Sequence, residues 1–214
     1  MSYAAAILLS YLLGSISGSL LVGRFRGVDI RRQGSGNAGG TNAFRTQGPW
    51  FALTVIAIDI GKGVVATALL PALAVKLPGP SLFPNDLALA LACGFAAVLG
   101  HVYPLYHQFR GGKGAGTFVG VLLATQPIFV LPVIGVWLSV LVLTGYVGLA
   151  TVLSALAFIP VVVLMASPDT LATWLVFTVV GAVFITLTHR SNIQRLRNGT
   201  EYCFEKARLF RHLR

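Results

Sequence analysis

Residues 117–188 form an almost unbroken apolar stretch: "TFVGVLLATQPIFVLPVIGVWLSVLVLTGYVGLATVLSALAFIPVVVLMASPDTLATWLVFTVVGAVFITLT". A helix that crosses a membrane needs about 17–25 residues, so the stretch is too long for two spans and suits three or four. Turn-forming residues interrupt it at 125–127, 144–146 and 166–169. These breaks divide it into four short spans.

Three further apolar segments precede this stretch, at residues 3–23, 50–70 and 86–104. The chain is 56% hydrophobic and only 10% charged, and its mean hydropathy is +0.81. Soluble domains carry roughly a quarter charged residues. Segment 3–23 lacks the positive leader of a signal peptide, and we interpret it as a retained first helix. The sequence therefore predicts an all-α, polytopic membrane protein with seven transmembrane helices in a single domain, residues 1–214.

The distribution of positive charge predicts the orientation. The chain has 16 Lys and Arg and a formal net charge of +10, and most of the basic residues fall in segments 24–45, 110–113 and 190–214. Short cytoplasmic segments are enriched in Lys and Arg. With seven spans, an extracytoplasmic N-terminus and a cytoplasmic C-terminus, all three segments face the cytoplasm, and Lys76 alone lies outside. A chain of this kind offers no basic, soluble surface for nucleic acid.

Three polar, glycine-bearing segments meet at that cytoplasmic face: "RRQGSGNAGGTNAFR" (31–45), "GHVYPLYHQFRGGKGAGT" (100–117) and "HRSNIQRLRNGTE" (189–201). Glycine lets backbone N–H groups approach a ligand closely, and successive N–H groups bind anions. The first segment adds neutral donors and a fixed positive charge, and it contains no acid: Ser35, Asn37, Thr41, Asn42 and Arg45. These donors favour an oxygen-rich anion, phosphate above all, although a flexible basic loop has the same composition.

The second segment is not a nucleotide-binding P-loop. That motif requires a glycine where His107 stands, and Ser or Thr where Gly114 follows Lys113. What remains is a lysine at a glycine-rich helix start, with backbone N–H groups around Gly112. This arrangement suits a phosphate oxygen.

The ionisable residues within or beside the apolar segments allow more than one interpretation of their roles. His101 and His189 each end a span, and Asn192 shares a helical face with His189 if the helix continues. No histidine pair has metal-ligand spacing, so we expect no metal. Asp59 and Lys62 lie within the second span, where charged residues tend to pair or to function. We favour a mutual ion pair, the alternative being that Asp59 holds Arg45 or Lys113.

Taken together, the three segments resemble the signature motifs of the bacterial, membrane-integral acyl-phosphate:glycerol-3-phosphate acyltransferase family. "YLLGSI" (11–16) and "DIGKG" (59–63) are also similar to that family. The resemblance implies a multi-pass enzyme of the bacterial cytoplasmic (inner) membrane, with its active site facing the cytoplasm. It would transfer a fatty acyl group from acyl phosphate to the 1-hydroxyl of glycerol 3-phosphate, giving lysophosphatidic acid and phosphate in phospholipid synthesis.

The resemblance also implies the roles of individual residues. The partners would be the two substrates and membrane lipid, without a cofactor, and the enzyme would be a monomer. One departure concerns the start of the sixth span, where the family often has a serine and this chain has Val147 and Gly148 after Tyr146. The catalytic group would be Lys113, Ser35, His189 and Asn192, and the substrate-binding group Asn37, Thr41, Asn42, Arg45, His101, Gly112 and Glu201.

The proton acceptor is not identified by any motif. The His-x-x-x-x-Asp pattern of acyltransferases that use acyl thioesters is absent after His101, His107 and His189. Because an acyl phosphate is already activated, we hypothesise that the donor's own phosphate accepts the proton, with a conventional histidine base as the alternative. A transporter for a phosphate-bearing metabolite is the competing function. Such proteins often contain repeats and a polar path across the membrane, and the sequence shows neither.

Overall fold

The computed structural model describes residues 2–74 and 83–209, whose regular elements are all helical. Lys76 lies outside this described part. The chain forms two compact units, one up to Gln126 and one from Pro127 onward. The first unit contains α1 (Tyr3–Gly14), α2 (Gly18–Phe25), α3 (Gly40–Gln47), α4 (Pro49–Ala68), α5 (Asp86–Val102) and α6 (Ala115–Thr125); the second contains α7 (Val130–Thr144), α8 (Val147–Met165), α9 (Pro168–Thr188) and α10 (Arg190–Arg197).

Helix α4 is the centre of the first unit and packs against α1, α2, α3, α5 and α6. Glycines allow the closest of these contacts. A Cβ atom on Gly63 would overlap the carbonyl oxygen of Thr117, and one on Gly120 would overlap that of Ile60. Small residues let helix backbones approach each other in membrane proteins, where apolar burial alone gives helices little reason to associate. Backbone contact therefore joins α4 to α6.

The predicted first helix, residues 3–23, is broken. Helices α1 and α2 meet at a bend of 44°, and Ser15, Ile16 and Ser17 lie between them. The unwound turn exposes backbone carbonyls, and Lys62 Nζ donates to two of them, those of Gly14 at 2.8 Å and Ile16 at 2.7 Å. A distant side chain thus satisfies the polar groups that the break leaves without helical partners.

The second unit contains three long helices, with α7 packed on α8 and α8 on α9. An aromatic cluster fills its interior, where the ring centroids of Phe129 and Trp174 lie 4.9 Å apart and those of Phe129 and Phe158 lie 5.6 Å apart. The predicted breaks are confirmed. Gly145 ends α7 in the left-handed conformation, with φ of 80°, and Pro168 begins α9, where its missing N–H costs nothing.

Five helices are long and apolar enough to cross a membrane by themselves, and the bent α1–α2 pair gives a sixth candidate within the described residues. Helix α6 is shorter, with 11 residues. At a rise of about 1.5 Å per residue it covers roughly half of the hydrocarbon core. The candidate spans are largely exposed on their outer sides, for example at Leu131 (67%) and Leu164 (82%). This distribution is that of helices covered by lipid.

The close α4–α6 contact can be tested with Gly120→Ala. The new methyl group would meet backbone atoms that cannot rotate away, so we expect the free energy of unfolding to fall by about 1–3 kcal/mol. Thermal unfolding in detergent micelles measures the change. Gly61→Ala is the matched control, because a Cβ atom at Gly61 meets nothing within 4 Å. Equal melting temperatures for the two variants would contradict the backbone contact.

Candidate functional site

The first polar segment is folded around the side chain of Asn42, which is 1% exposed. Its Oδ1 accepts a hydrogen bond from the Ser35 backbone N–H at 3.0 Å. Its Nδ2 donates to the carbonyls of Ile30 and Gln33, each at 3.0 Å. One amide thereby holds the loop from residue 30 to residue 35 in a fixed shape. Both of its N–H groups are committed to the loop, which differs from the expected role as a donor to substrate.

Other predicted donors of this segment have accessible surface. Ser35 is exposed, and Asn37, Thr41 and Arg45 are half-buried. Residues from Gly40 onward form α3, so Thr41 and Arg45 are helical and lie four residues apart on one face. The segment is therefore a short loop followed by a helix.

Asp29 and Arg31 fasten this loop to the second polar segment. The Arg31 guanidinium makes a forked contact with the Asp29 carboxylate, with NH2 2.8 Å from Oδ2 and Nε 3.0 Å from Oδ1. The hydrogen bond from Arg31 lowers the pKa of the Asp29 carboxyl below its ordinary value. Arg31 NH1 also donates to the carbonyl of His107 at 3.5 Å. These contacts differ from the expectation of a purely basic loop, since one of its arginines is already paired.

The second polar segment returns on itself. The N–H of Gly112 donates to the carbonyl of His101, and the N–H of Gly111 donates to that of Val102, both at 3.1 Å. Lys113 follows at once and is half-buried, and Gly114 takes the left-handed conformation before α6 begins. Gly111 and Gly112 thus bring Lys113 back to the end of α5.

A buried charged cluster lies below this turn. The Asp59 carboxylate is 3.1 Å from Lys62 Nζ and 3.3 Å from His101 Nδ1. All three side chains are at most 5% exposed. The mutual ion pair expected for Asp59 and Lys62 is confirmed. His101, expected to bind substrate, is 4% exposed and faces Asp59 instead.

The third polar segment contains a second network, in the second unit. His189 stands between α9 and α10, and its Nδ1 lies 2.8 Å from the carbonyl oxygen of Ile185. A carbonyl only accepts, so Nδ1 carries a proton and the lone pair of a neutral ring is on Nε2. The helix does not continue straight through, but Asn192 N–H still donates to the His189 carbonyl at 2.9 Å.

Glu201 organises the other side of this network. Asn192 Nδ2 donates to Oε1 and Arg195 Nε to Oε2, each at 2.7 Å, and the carboxylate is 2% exposed. A buried acid with both oxygens engaged orients Asn192 and Arg195, which differs from the expected contact with substrate. Sequence reasoning missed Arg195, although its i,i+3 spacing from Asn192 indicates a shared partner.

Gly148 accommodates the Asn192 side chain. A Cβ atom on Gly148 would lie 2.7–2.8 Å from Asn192 side-chain atoms. This glycine is one of the two residues, 147 and 148, at which the chain departs from the family pattern. A side chain at position 148 would displace Asn192. The hydroxyl groups of Thr151 and Ser154, further along α8, donate to helix carbonyls four residues earlier.

The structure thus divides the predicted site residues by unit and by exposure. The first unit presents Ser35, Asn37, Thr41, Arg45 and Lys113 with accessible surface and buries Asn42, His101 and Gly112. In the second unit Asn192 is half-buried, and His189 and Glu201 are buried.

Over its described residues the chain thus has the fold of a helical, multi-pass membrane protein, and its polar loops present basic and neutral hydrogen-bond donors. The family model described as glycerol-3-phosphate acyltransferase matches residues 4–199, and the chain belongs to that family.

Named relatives and solved structures agree with the assignment. The chain is 41% identical to a glycerol-3-phosphate acyltransferase of Chlorobaculum parvum, over 94% of this chain and 96% of the relative. It is 40% identical to one of Salinibacter ruber, over 94% and 91%. The crystal structure of PlsY (YgiH), an integral membrane glycerol 3-phosphate acyltransferase, is similar in its glycerol 3-phosphate form, with a TM-score of 0.81, 31% identity and coverage of 94% and 95%. Its lysophosphatidic acid form gives a TM-score of 0.80.

The role of Asn42 can be separated from that of Asn37 by substitution. Asn42→Ala removes three hydrogen bonds from the loop, and we expect it to lower the free energy of unfolding by about 1–3 kcal/mol. The control, Asn37→Ala, should leave the melting temperature in place, since Asn37 is only half-buried. Differential scanning fluorimetry in detergent gives both values. A melting temperature of Asn42→Ala equal to wild type would contradict the fastening role.

Proposed function

We propose that the protein transfers a fatty acyl group from acyl phosphate to the 1-hydroxyl of glycerol 3-phosphate, giving lysophosphatidic acid and inorganic phosphate. Membership of the family supports the acceptor, and the names of the two similar structures mention glycerol 3-phosphate and lysophosphatidic acid. The single observation that carries the proposal is that the first unit leaves a set of basic and neutral donors with accessible surface: Ser35, Asn37, Thr41, Arg45 and Lys113. Both substrates contain a phosphate, so the reaction needs hydrogen-bond donors for two phosphate groups.

In the proposed reaction, the glycerol hydroxyl oxygen attacks the acyl carbonyl carbon. A new C–O ester bond forms, the bond from the carbonyl carbon to the phosphate oxygen breaks, and phosphate leaves with the bonding electron pair. The hydroxyl proton goes to that phosphate, which supplies the base. Lys113 stabilises the negative charge that develops on the phosphate and on the carbonyl oxygen.

Fixed hydrogen-bond donors assist Lys113. Arg45 can bind one phosphate through two parallel N–H groups, and Ser35, Asn37 and Thr41 add neutral donors. We propose that Asn42 and Glu201 shape the loops that carry these groups. His189 and Asn192 serve the same reaction as partners of the glycerol phosphate or of the reacting carbonyl. His189 Nε2 donates to either oxygen only when the ring is protonated, since Nδ1 is already bound to the Ile185 carbonyl.

The donor assignment is tested with purified protein in lipid, glycerol 3-phosphate and synthetic palmitoyl phosphate, measuring phosphate release and lipid product. We expect product with palmitoyl phosphate and none with palmitoyl-CoA or acyl carrier protein. Lys113→Ala should lower the rate by orders of magnitude. Activity with a thioester donor alone would overturn the donor assignment. No product with any donor would favour the alternative function, a transporter for a phosphate-bearing metabolite. Counterflow of radiolabelled glycerol 3-phosphate in liposomes would then measure transport.

We further propose one transmembrane domain, residues 1–214, that acts as a monomer in the bacterial inner membrane. The bent α1–α2 pair, the short α6 and the five long helices would give seven spans, with the N-terminus outside and the polar segments in the cytoplasm. Ser2→Cys, in a Cys203→Ser background, should react with an impermeant maleimide in intact spheroplasts. Native Cys203 should react only after lysis, and buried Cys93 in neither state. Labelling of Cys203 in intact spheroplasts would show the opposite orientation, with the C-terminus outside.

A further inference from the structure

The His101 imidazole lies between a carboxylate and a glycine. Its Nδ1 is 3.3 Å from Asp59 Oδ1. On the other side, a Cβ atom added to Gly112 would overlap His101 Nε2 and lie 2.8 Å from Cε1 and 3.1 Å from Cδ2. The three nearest heavy atoms to that position all belong to the imidazole. The ring therefore fills the space against which Gly112 packs.

Asp59 is held in place by Lys62 on its own helix and by the start of α2. Lys62 Nζ lies 3.1 Å from Oδ1 and is bound to the carbonyls of Gly14 and Ile16. The N–H of Gly18, at the start of α2, donates to the same carboxylate oxygen at 3.4 Å. The carboxylate that faces His101 is thus fixed by α2, by α4 and, through Lys62, by the break that precedes α2. The His101 ring therefore lies against a carboxylate that is itself held in place.

The His101 imidazole also packs against Gly112, in the loop that carries Lys113. Gly112 N–H donates to the carbonyl of His101 itself at 3.1 Å. The residue after Gly112 is Lys113, and the next, Gly114, has φ of 90° and begins α6. The backbone contact and the ring contact therefore both act on the residue that immediately precedes Lys113.

We propose that His101 is a positioning residue: anchored by Asp59, its imidazole supports Gly112 from below and so places Lys113 for a phosphate group. It is neither a ligand of substrate nor the general base. A base must come within hydrogen-bond distance of the proton that it takes, whereas His101 is 4% exposed and lies under Gly112. The proposal rests on the proposed function in one respect, that Lys113 binds a phosphate of the substrates.

Gly111 and Gly112 allow the contact with the His101 ring to be tested separately from the contacts with the backbone. Gly112 does not have the left-handed φ that resists a side chain, and the three atoms nearest to the Cβ of Gly112→Ala all belong to the imidazole. A Cβ atom on Gly111 would instead overlap the carbonyl oxygen of His101 and lie 2.9 Å from that of Val102. Removing the imidazole relieves the first overlap and leaves the second unchanged. Gly111→Ala is therefore the matched control.

The experiment compares Gly112→Ala, Gly111→Ala and His101→Ala with the two double variants that include His101→Ala. Steady-state kinetics are measured for glycerol 3-phosphate and palmitoyl phosphate. We expect Gly112→Ala to raise KM for glycerol 3-phosphate about ten- to hundredfold, as displaced positioning groups do, with a smaller change in kcat. In the His101→Ala background, Gly112→Ala should cost about twofold or less, whereas the effects of Gly111→Ala and His101→Ala should multiply.

His101→Asn keeps an N–H group beside Asp59 and should restore KM toward wild type relative to His101→Ala. Thermal unfolding in detergent identifies any variant that fails to fold. If His101→Ala fails to fold, His101→Asn replaces it in the comparison. Independent, multiplicative effects of Gly112→Ala and the His101 substitution would overturn the proposal. So would a His101 variant with unchanged KM values and a kcat as low as that of Lys113→Ala, because the ring would then act in the chemistry.

Failure of the proposed function has a different signature. A wild-type protein that makes no product with any donor would disprove the proposed reaction and leave the positioning role testable by binding. Stabilisation by glycerol 3-phosphate against thermal unfolding then replaces KM in the same set of variants. Relief of Gly112→Ala by His101→Ala is again the expected result, and absence of relief would contradict the proposal.

Discussion

The first unit depends on the ion pair between Asp59 and Lys62 inside the helical bundle. Charges within a membrane protein are costly unless they are paired and hydrogen-bonded, and this pair is shielded by the unwound turn after Gly14. Lys62 binds two carbonyls of that turn, and Asp59 receives an N–H group from the start of α2 and faces His101. Removing one partner of such a pair typically costs about 3–5 kcal/mol. The pair thus joins the broken first helix, α4 and the end of α5.

The polar segments repeat this arrangement on a smaller scale. In the first and third segments a buried polar side chain binds neighbouring groups of the segment, and other side chains keep accessible surface. Asn42 holds the first segment through three hydrogen bonds, and Glu201 holds the third through Asn192 and Arg195. Loops rich in glycine lose much conformational freedom on folding. Fixing them through one buried group lets their donors meet an anion without that cost at the moment of binding.

The sequence predicts those features of the fold that local chemistry determines. The breaks between α6, α7, α8 and α9 fall where glycine, proline and serine interrupt the apolar stretch, because the backbone preferences of these residues act within a few positions. The break after Gly14 was not predicted, since its carbonyls are bound by Lys62 from a helix far along the chain. The same limit applies to the site. Asn37 and Asn42 look alike in the sequence, and only tertiary burial makes one of them a fastener of the loop.

Each acid of the chain has a basic partner or a favourable position at the start of a helix. There are six Asp and Glu residues. Asp29 pairs with Arg31, Asp59 with Lys62, Glu201 with Arg195 and Glu205 with Arg208. The other two, Asp86 and Asp169, lie in the first turns of α5 and α9, where the helix dipole favours a negative charge. Four of the acids thus neutralise a neighbouring base and the other two stabilise the start of a helix, so the excess of basic over acidic residues, 16 to 6, gives the chain its formal net charge of +10.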